Sequence, residues 1–314
     1  MEKIPVIVVL GPTASGKTAL AIELARTYNG EIVSADSMQI YKGMDIATAK
    51  PTPYELSLAP HHLIGFVESK ERFSVADYVK EAQGVISDIN SRGRQAILCG
   101  GTGLYINSLI DNIRFDDTHE DFELRERYLK IAEEKGNHYL WEQLKSVDEQ
   151  AALNIHENNL TRVIRALEVY ELSGKTISQA KAESRLEPSP YRAYFIGLKF
   201  SDRQMLYDRI NDRVDKMVEM GLVDEARNAY LENGSMVTAQ QAIGYKELIP
   251  YFQGRSSLNE CIEKVKRETR RYAKRQLTWF RRDSRINWID CDEFVDIKKI
   301  SEKIQKDIAK SDFL

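Results

Sequence analysis

The residues Gly11-Pro12-Thr13-Ala14-Ser15-Gly16-Lys17-Thr18 spell G-x-x-x-x-G-K-[ST], a spacing whose chemistry is the binding of a di- or triphosphate. In such a loop the backbone N–H groups converge on phosphate oxygens. The following helix adds the partial positive charge of its N-terminus, and Lys17 adds a full one. The Thr18 hydroxyl is expected to ligate a Mg²⁺ bridging two phosphates, while Gly11 and Gly16 allow torsions or close approaches that a side chain would block. A second candidate is Asp36, a carboxylate just past an apolar run. A phosphate-loop enzyme needs a base or a metal ligand there, although an Asp also serves as a cap or turn residue. Arg209 and Arg213 stand four apart, on one face of a helix. Either can neutralise a leaving phosphate or pair with Asp208 or Asp212, and spacing alone does not choose.

The elements around these residues read as an α/β fold, a P-loop NTPase-like mostly parallel sheet flanked by helices, with an all-helical insertion domain. Ile4–Leu10 (IPVIVVL) is β-branched and almost wholly apolar, the pattern of a strand buried on both faces. Leu20, Ile22, Leu24 and Ala25 follow the loop with no breaker before Asn29-Gly30, so a helix starts at the loop. Residues 31–35 (EIVSA) end at Asp36, and residues 95–99 (QAILC) run into Gly100-Gly101-Thr102-Gly103. Both therefore deliver polar groups to the strand ends where ligands of open sheets bind. Residues 73–90 carry apolar positions near helical spacing and read as a crossover helix. From 115 the segments are charged and helix-favouring, until Glu187-Pro188-Ser189-Pro190 and an apolar run at 194–200 return the chain to the sheet. The expected organisation is a core of 1–114 and 195–314 with a helical insert of 115–194.

Composition narrows the function classes. With 42% hydrophobic and 30% charged residues and no apolar run of bilayer length, the chain reads as soluble. Met1-Glu2-Lys3 enters the first strand at once, so no leader peptide is expected and cytoplasm is the default. Cys99, Cys261 and Cys291 are too scattered for a disulfide framework or a zinc site. The His61-His62 pair is expected to pack or touch a substrate rather than hold a metal. A net charge of −3 does not announce a nucleic-acid binder, yet residues 264–285 hold ten basic and two acidic residues. Arg267, Arg270, Arg271 and Lys274 follow helical spacing there, with Tyr272, Trp279 and Phe280 interleaved. That pattern suits a phosphate backbone or a solvated helix.

Taken together, the motifs resemble the tRNA dimethylallyltransferase (tRNA isopentenyltransferase) family in its bacterial form. GPTASGKT is followed in order by SADSMQIYKGMDIATAKP (34–51), CGGTGLYI (99–106), LTRVIRALEVYELSGKT (160–176), GYKE (244–247) and YAKRQLTWFRR (272–282). The resemblance implies transfer of the dimethylallyl group of dimethylallyl diphosphate to N6 of the adenine 3′ of a tRNA anticodon, with release of diphosphate. It implies that residues 11–18 hold the diphosphate with Mg²⁺ at Thr18, and that Lys17 and Arg213 stabilise it. Asp36 resembles the family's general base. Asp36, Ser37, Met38, Gln39, Thr102, Arg125, Thr161, Arg162, Val163, Ile164 and Arg165 resemble its tRNA contacts. Lys274 and Arg275 are expected to join them from the basic segment, and the insert to clamp the anticodon stem-loop. The eukaryotic relatives' added zinc finger has no counterpart here, and a monomer is expected. Alternatives are a small-molecule kinase or NTPase, a prenyltransferase of free adenine nucleotides, and a non-catalytic RNA-binding module.

Overall fold

The computed structural model describes residues 2–114, 121–184, 187–231, 242–294, 296–311 and 313. In chain order its elements are β1 (Ile4–Leu10), α1 (Lys17–Thr27), β2 (Gly30–Ser34), α2 (Pro53–Leu58), β3 (His61–His62), α3 (Val75–Ser91), β4 (Gln95–Gly100) and α4 (Gly103–Ile110). Five helices follow: α5 (Phe122–Lys135), α6 (Asn137–Val147), α7 (Glu149–Asn154), α8 (Leu160–Ser173) and α9 (Ile177–Glu183). The chain then forms β5 (Tyr191–Lys199), α10 (Arg203–Glu219), α11 (Leu222–Leu231), α12 (Ile249–Phe252), α13 (Leu258–Phe280), β6 (Asn287–Asp290) and α14 (Ile297–Ala309).

Two compact units result, Met1–Ile110 with Ser189–Leu314, and Asp111–Pro188. The strand beginning at Tyr191 belongs whole to the first unit, so the expected boundary at 194 falls inside it. The other expected boundary, at 115, lies outside the described residues.

In the first unit six strands lie in the order β3-β2-β4-β1-β5-β6, and every pairing is parallel. Sequence reading missed β3, with two residues, and β6, a short edge strand without an apolar run. Alternation along β1 sends Val6, Val8 and Leu10 into one core with α3 and α4, and Ile7 and Val9 into another with α1 and α14. Burial on both faces explains its continuous apolarity. Helix α3 starts where a capping box forms: Ser74 Oγ accepts the Asp77 N–H and Asp77 accepts the Ser74 N–H.

The order of strands also fixes where a ligand binds. The chain leaves β1 toward β2 on one side and later returns to β5 on the other, so the connections diverge at the carboxyl end of β1. A crevice opens at such a switch point. The loops after β1, β2 and β4 face it.

The second unit packs its helices around Leu124, Tyr128, Leu140, Leu144, Val163 and Leu167. Its buried Glu168 accepts hydrogen bonds from Arg125 Nε and Nη2, both at 2.9 Å, and from Arg165 Nη1 at 2.6 Å. Among the described residues, no helix is long and apolar enough to cross a membrane.

Candidate active site

The phosphate loop occupies the carboxyl end of β1. Gly16 is left-handed at φ 93° and begins α1, which has no side-chain cap and no acidic residue in its first turn. The first N–H groups of α1 are thus free of the partners that usually satisfy a helix start, and they suit an anion. Ala14 is also left-handed, at φ 62°, a conformation that costs about 1 kcal/mol for a residue with a Cβ. Arg209 Nε donates to the Ala14 carbonyl at 3.0 Å and secures that turn. Lys17 Nζ donates to the Pro12 carbonyl at 2.6 Å, and the Thr13 N–H donates to Gln276 Oε1 at 2.8 Å. Ser15 is buried, and its hydroxyl has no partner among the described residues.

Above the loop lies a cavity of about 270 Å³. Thr13, Lys17, Thr18, Asp36 and Arg213 line its polar part; Ile210, Val214, Met217, Leu222, Ile243 and Val265 line an apolar part. Burial pushes Lys17 down to about 8, although Cys99 and Asp36 act in the other direction. Burial likewise lowers Arg213, against the attraction of Glu55 and Asp36. Neither cation makes an ion pair among the described residues. Two desolvated, unpaired positive charges beside free helix N–H groups form a site whose missing partner is an anion.

Asp36 stands two residues past β2, at the cavity wall. Its Oδ1 accepts the N–H groups of Met38 at 2.9 Å and Gln39 at 3.3 Å. The carboxylate is therefore a turn residue and a cavity residue at once. Oδ2 takes no protein hydrogen bond among the described residues. Thr102 Oγ1 accepts the Ser37 N–H at 3.0 Å, joining the loops after β2 and β4. Gln39 has its side chain committed to the 48–49 turn, donating to the carbonyls of Thr48 at 3.2 Å and Ala49 at 3.1 Å. It shapes the wall rather than presenting a free amide.

Arg209 and Arg213 divide the roles that spacing left open. The first grips the loop from outside, and the second enters the cavity. Pairing with Asp208 or Asp212 is seen for neither. Lys274 and Arg275 are exposed on α13, with Arg275 at the cavity lining. In the helical unit, Thr161 and Arg162 are exposed, whereas Val163 is fully buried and Ile164 is 4% exposed. Within the expected tRNA-contact stretch 161–165, helical periodicity turns the Val163 and Ile164 side chains into the unit's own core and leaves Thr161 and Arg162 facing solvent. Arg125 and Arg165 are held by Glu168 and are only partly exposed. His61 and His62 pack as expected: His62 Nε2 pairs with Glu31 at 2.7 Å, and His61 Nδ1 meets the Ala59 carbonyl at 2.8 Å.

Sequence reasoning missed Gln276 and Glu225, and it read Tyr272 as part of the basic segment rather than as the cavity residue it is. Glu225 accepts three successive N–H groups, those of Asp45, Ile46 and Ala47, at 2.8, 2.8 and 2.9 Å. It thereby fixes a loop that contributes Ala47, Thr48 and Ala49 to the cavity. Nothing local in the sequence marks such long-range partners.

For a metal, no group of three or more His, Cys, Asp or Glu is assembled among the described residues. A hard cation that keeps water and binds mainly through ligand phosphates needs no such cage. Thr18, at the start of α1 and on the cavity beside the loop's N–H groups, fits Mg²⁺ arriving with a diphosphate.

Comparison with known proteins agrees with this geometry. The family model described as IPP transferase matches residues 39–283. A tRNA dimethylallyltransferase of Thermoanaerobacter pseudethanolicus is 50% identical over 310 residues, covering 98% of this chain and 97% of the relative. One from Bacillus velezensis is 47% identical over 308 residues, covering 98% of each. Among solved structures, the full-length tRNA isopentenylpyrophosphate transferase of Bacillus halodurans superposes with a TM-score of 0.73 at 44% identity, covering 98% of this chain and 96% of that one. A eukaryotic dimethylallyltransferase acting on tRNA gives 0.81 at 29% identity, covering 99% and 82%.

Proposed function

Because the chain belongs to the tRNA dimethylallyltransferase family, we propose that it moves the dimethylallyl group of dimethylallyl diphosphate to N6 of the adenine immediately 3′ of the anticodon, releasing diphosphate. The observation that carries this reading is the cavity itself. Lys17 and Arg213 lie partly buried without a counter-ion among the described residues, beside the free N–H groups of α1, and apolar walls continue the same space. A diphosphate carrying a short hydrocarbon matches both halves. Family membership favours prenyl transfer over the kinase reading.

In the proposed reaction the C1–O bond to diphosphate breaks as the bond between N6 and C1 forms. Negative charge grows on the leaving group, where Lys17, Arg213 and the loop N–H groups stabilise it. An exocyclic adenine amine is a weak nucleophile whose nitrogen becomes positive as it attacks. Asp36 accepts the departing proton, its Oδ1 fixed by the turn and its Oδ2 left for the base. Thr18 would hold Mg²⁺, which when bound neutralises charge on the diphosphate. The adenine must leave its stack to reach this carboxylate, so neighbouring nucleotides need contacts of their own. Lys274 and Arg275 supply them from α13, and Thr161 and Arg162 from the helical unit.

The test is a single-turnover incubation with Mg²⁺, dimethylallyl diphosphate and an unmodified anticodon stem-loop, followed by mass analysis of the nucleosides. A dimethylallyl increment on the adenosine 3′ of the anticodon is expected. Product on free AMP alone, or ADP formed from ATP, would overturn the reading.

A further inference from the structure

We infer that Gln276 is a positioning residue for the diphosphate loop, fixing the loops after β1 and β4 to each other from the buried side of α13; the inference rests on the donor reading above. Gln276 is 5% exposed. Its Oε1 accepts the Thr13 N–H at 2.8 Å, and its Nε2 donates to the Gly101 carbonyl at 3.1 Å. One planar amide thus satisfies a donor on the phosphate loop and an acceptor on the glycine-rich loop, and only this orientation serves both. A glutamate of the same shape can only accept, and a methionine does neither. The fit is close: a Cβ on Gly101 would lie 2.1 Å from Nε2, so residue 101 must be glycine for the amide to reach.

The neighbours of Gln276 extend the linkage. Tyr272, one turn earlier, lines the same cavity as Gln276, and Thr102 Oγ1 accepts the Ser37 N–H at 3.0 Å. Through Gln276, α13 therefore touches the loops carrying the phosphate site and the glycine turn, and Thr102 ties the glycine turn to the loop of Asp36. Lys274 and Arg275, immediately before Gln276, are exposed on the same helix. A residue that docks on the phosphate loop from the helix offered to RNA sets the relative placement of donor and acceptor. Both polar atoms of its amide are committed to the two loops.

The experiment uses the full chain, Mg²⁺ and inorganic pyrophosphate, with stem-loop affinity and thermal midpoint measured separately. Gln276→Met keeps the volume, and Gln276→Glu keeps the shape but sets an acceptor against the Gly101 carbonyl. In Gln276→Met, pyrophosphate affinity is expected to fall about tenfold and donor KM to rise similarly, with stem-loop affinity within about twofold of the parent. Gln276→Glu should fall further, since its charge lies beside the diphosphate. Pyrophosphate affinity within about twofold of the parent in both variants would overturn the inference, as would a parallel loss of pyrophosphate binding, RNA binding and thermal midpoint, which marks general destabilisation. A parent protein that binds pyrophosphate but transfers no dimethylallyl group sinks the donor reading instead. The Gln276 result then still decides the loop.

Discussion

The two edges of the same sheet treat buried charge in opposite ways. At the amino edge, Glu31 at the start of β2 is 3% exposed and is met by Arg92 Nη1 at 2.5 Å, Arg94 Nη1 at 3.0 Å and His62 Nε2 at 2.7 Å. Hydrogen bonds from Arg92 hold its carboxyl down at about 2, against the opposing effect of burial. At the carboxyl edge, Lys17 and Arg213 are partly buried and desolvated, with no such company among the described residues. A satisfied buried charge is explained by the fold around it, whereas an unsatisfied one needs something the chain does not supply. The contrast identifies the working edge without reference to any motif.

Four changes break or sharpen that contrast, in descending order of effect. Arg213→Ala removes a charge whose only use is the incoming anion, and kcat/KM should fall about 10³-fold or more while the protein stays folded. A rate preserved at saturating donor would remove Arg213 from the site. Asp36→Asn keeps an acceptor for the turn but cannot take the proton, so single-turnover transfer should slow by about 10²–10³-fold with a smaller change in RNA affinity. Equal rates would reduce Asp36 to a turn residue.

At the other edge, Glu31→Gln should leave transfer by the folded protein unchanged and cost about 3 kcal/mol of stability at neutral pH, or less because Arg92 and Arg94 reach solvent. Its pH dependence has a definite sign. The folded carboxyl lies at about 2, below the ordinary 4.5, so its contribution is complete above about 4.5 and is lost as pH falls toward 2. Urea titrations at several pH values should show parent and variant converging in acid; a constant gap would mean that the ionised pair is not the source. The smallest effect belongs to Lys274→Gln with Arg275→Gln, which should lower the slope of log affinity against log salt by about 1.4 if both meet single-stranded phosphates. An unchanged slope would return this stretch of α13 to structure.

Much of the working edge was legible because it is written in short contiguous stretches. The phosphate loop is eight residues between a strand and a helix, and Asp36 follows an apolar run whose end could be read. What stayed hidden depends on partners far along the chain. Gln276 lies 263 residues from Thr13, and Glu225 lies about 180 from the loop it fixes. The separate roles of Arg209 and Arg213 follow from where α10 lies against the loop, which periodicity does not encode. Val163 and Ile164 show how much a motif read as a block leaves out, since the helical period sends their side chains into the core of the helical unit.

The span from Thr13 to Gln276 also sets a timetable for synthesis. At about 5–20 residues per second, a ribosome needs roughly ten to fifty seconds to travel from the phosphate loop to the glutamine that secures it. The neighbouring pair of β1 with β5 waits almost as long, since Ile4 is registered with Tyr191. During that interval the nascent chain carries an apolar β1 without its partner on one side. The helical unit, whose contacts are local, can form first, leaving the phosphate site among the last parts of the molecule to become competent.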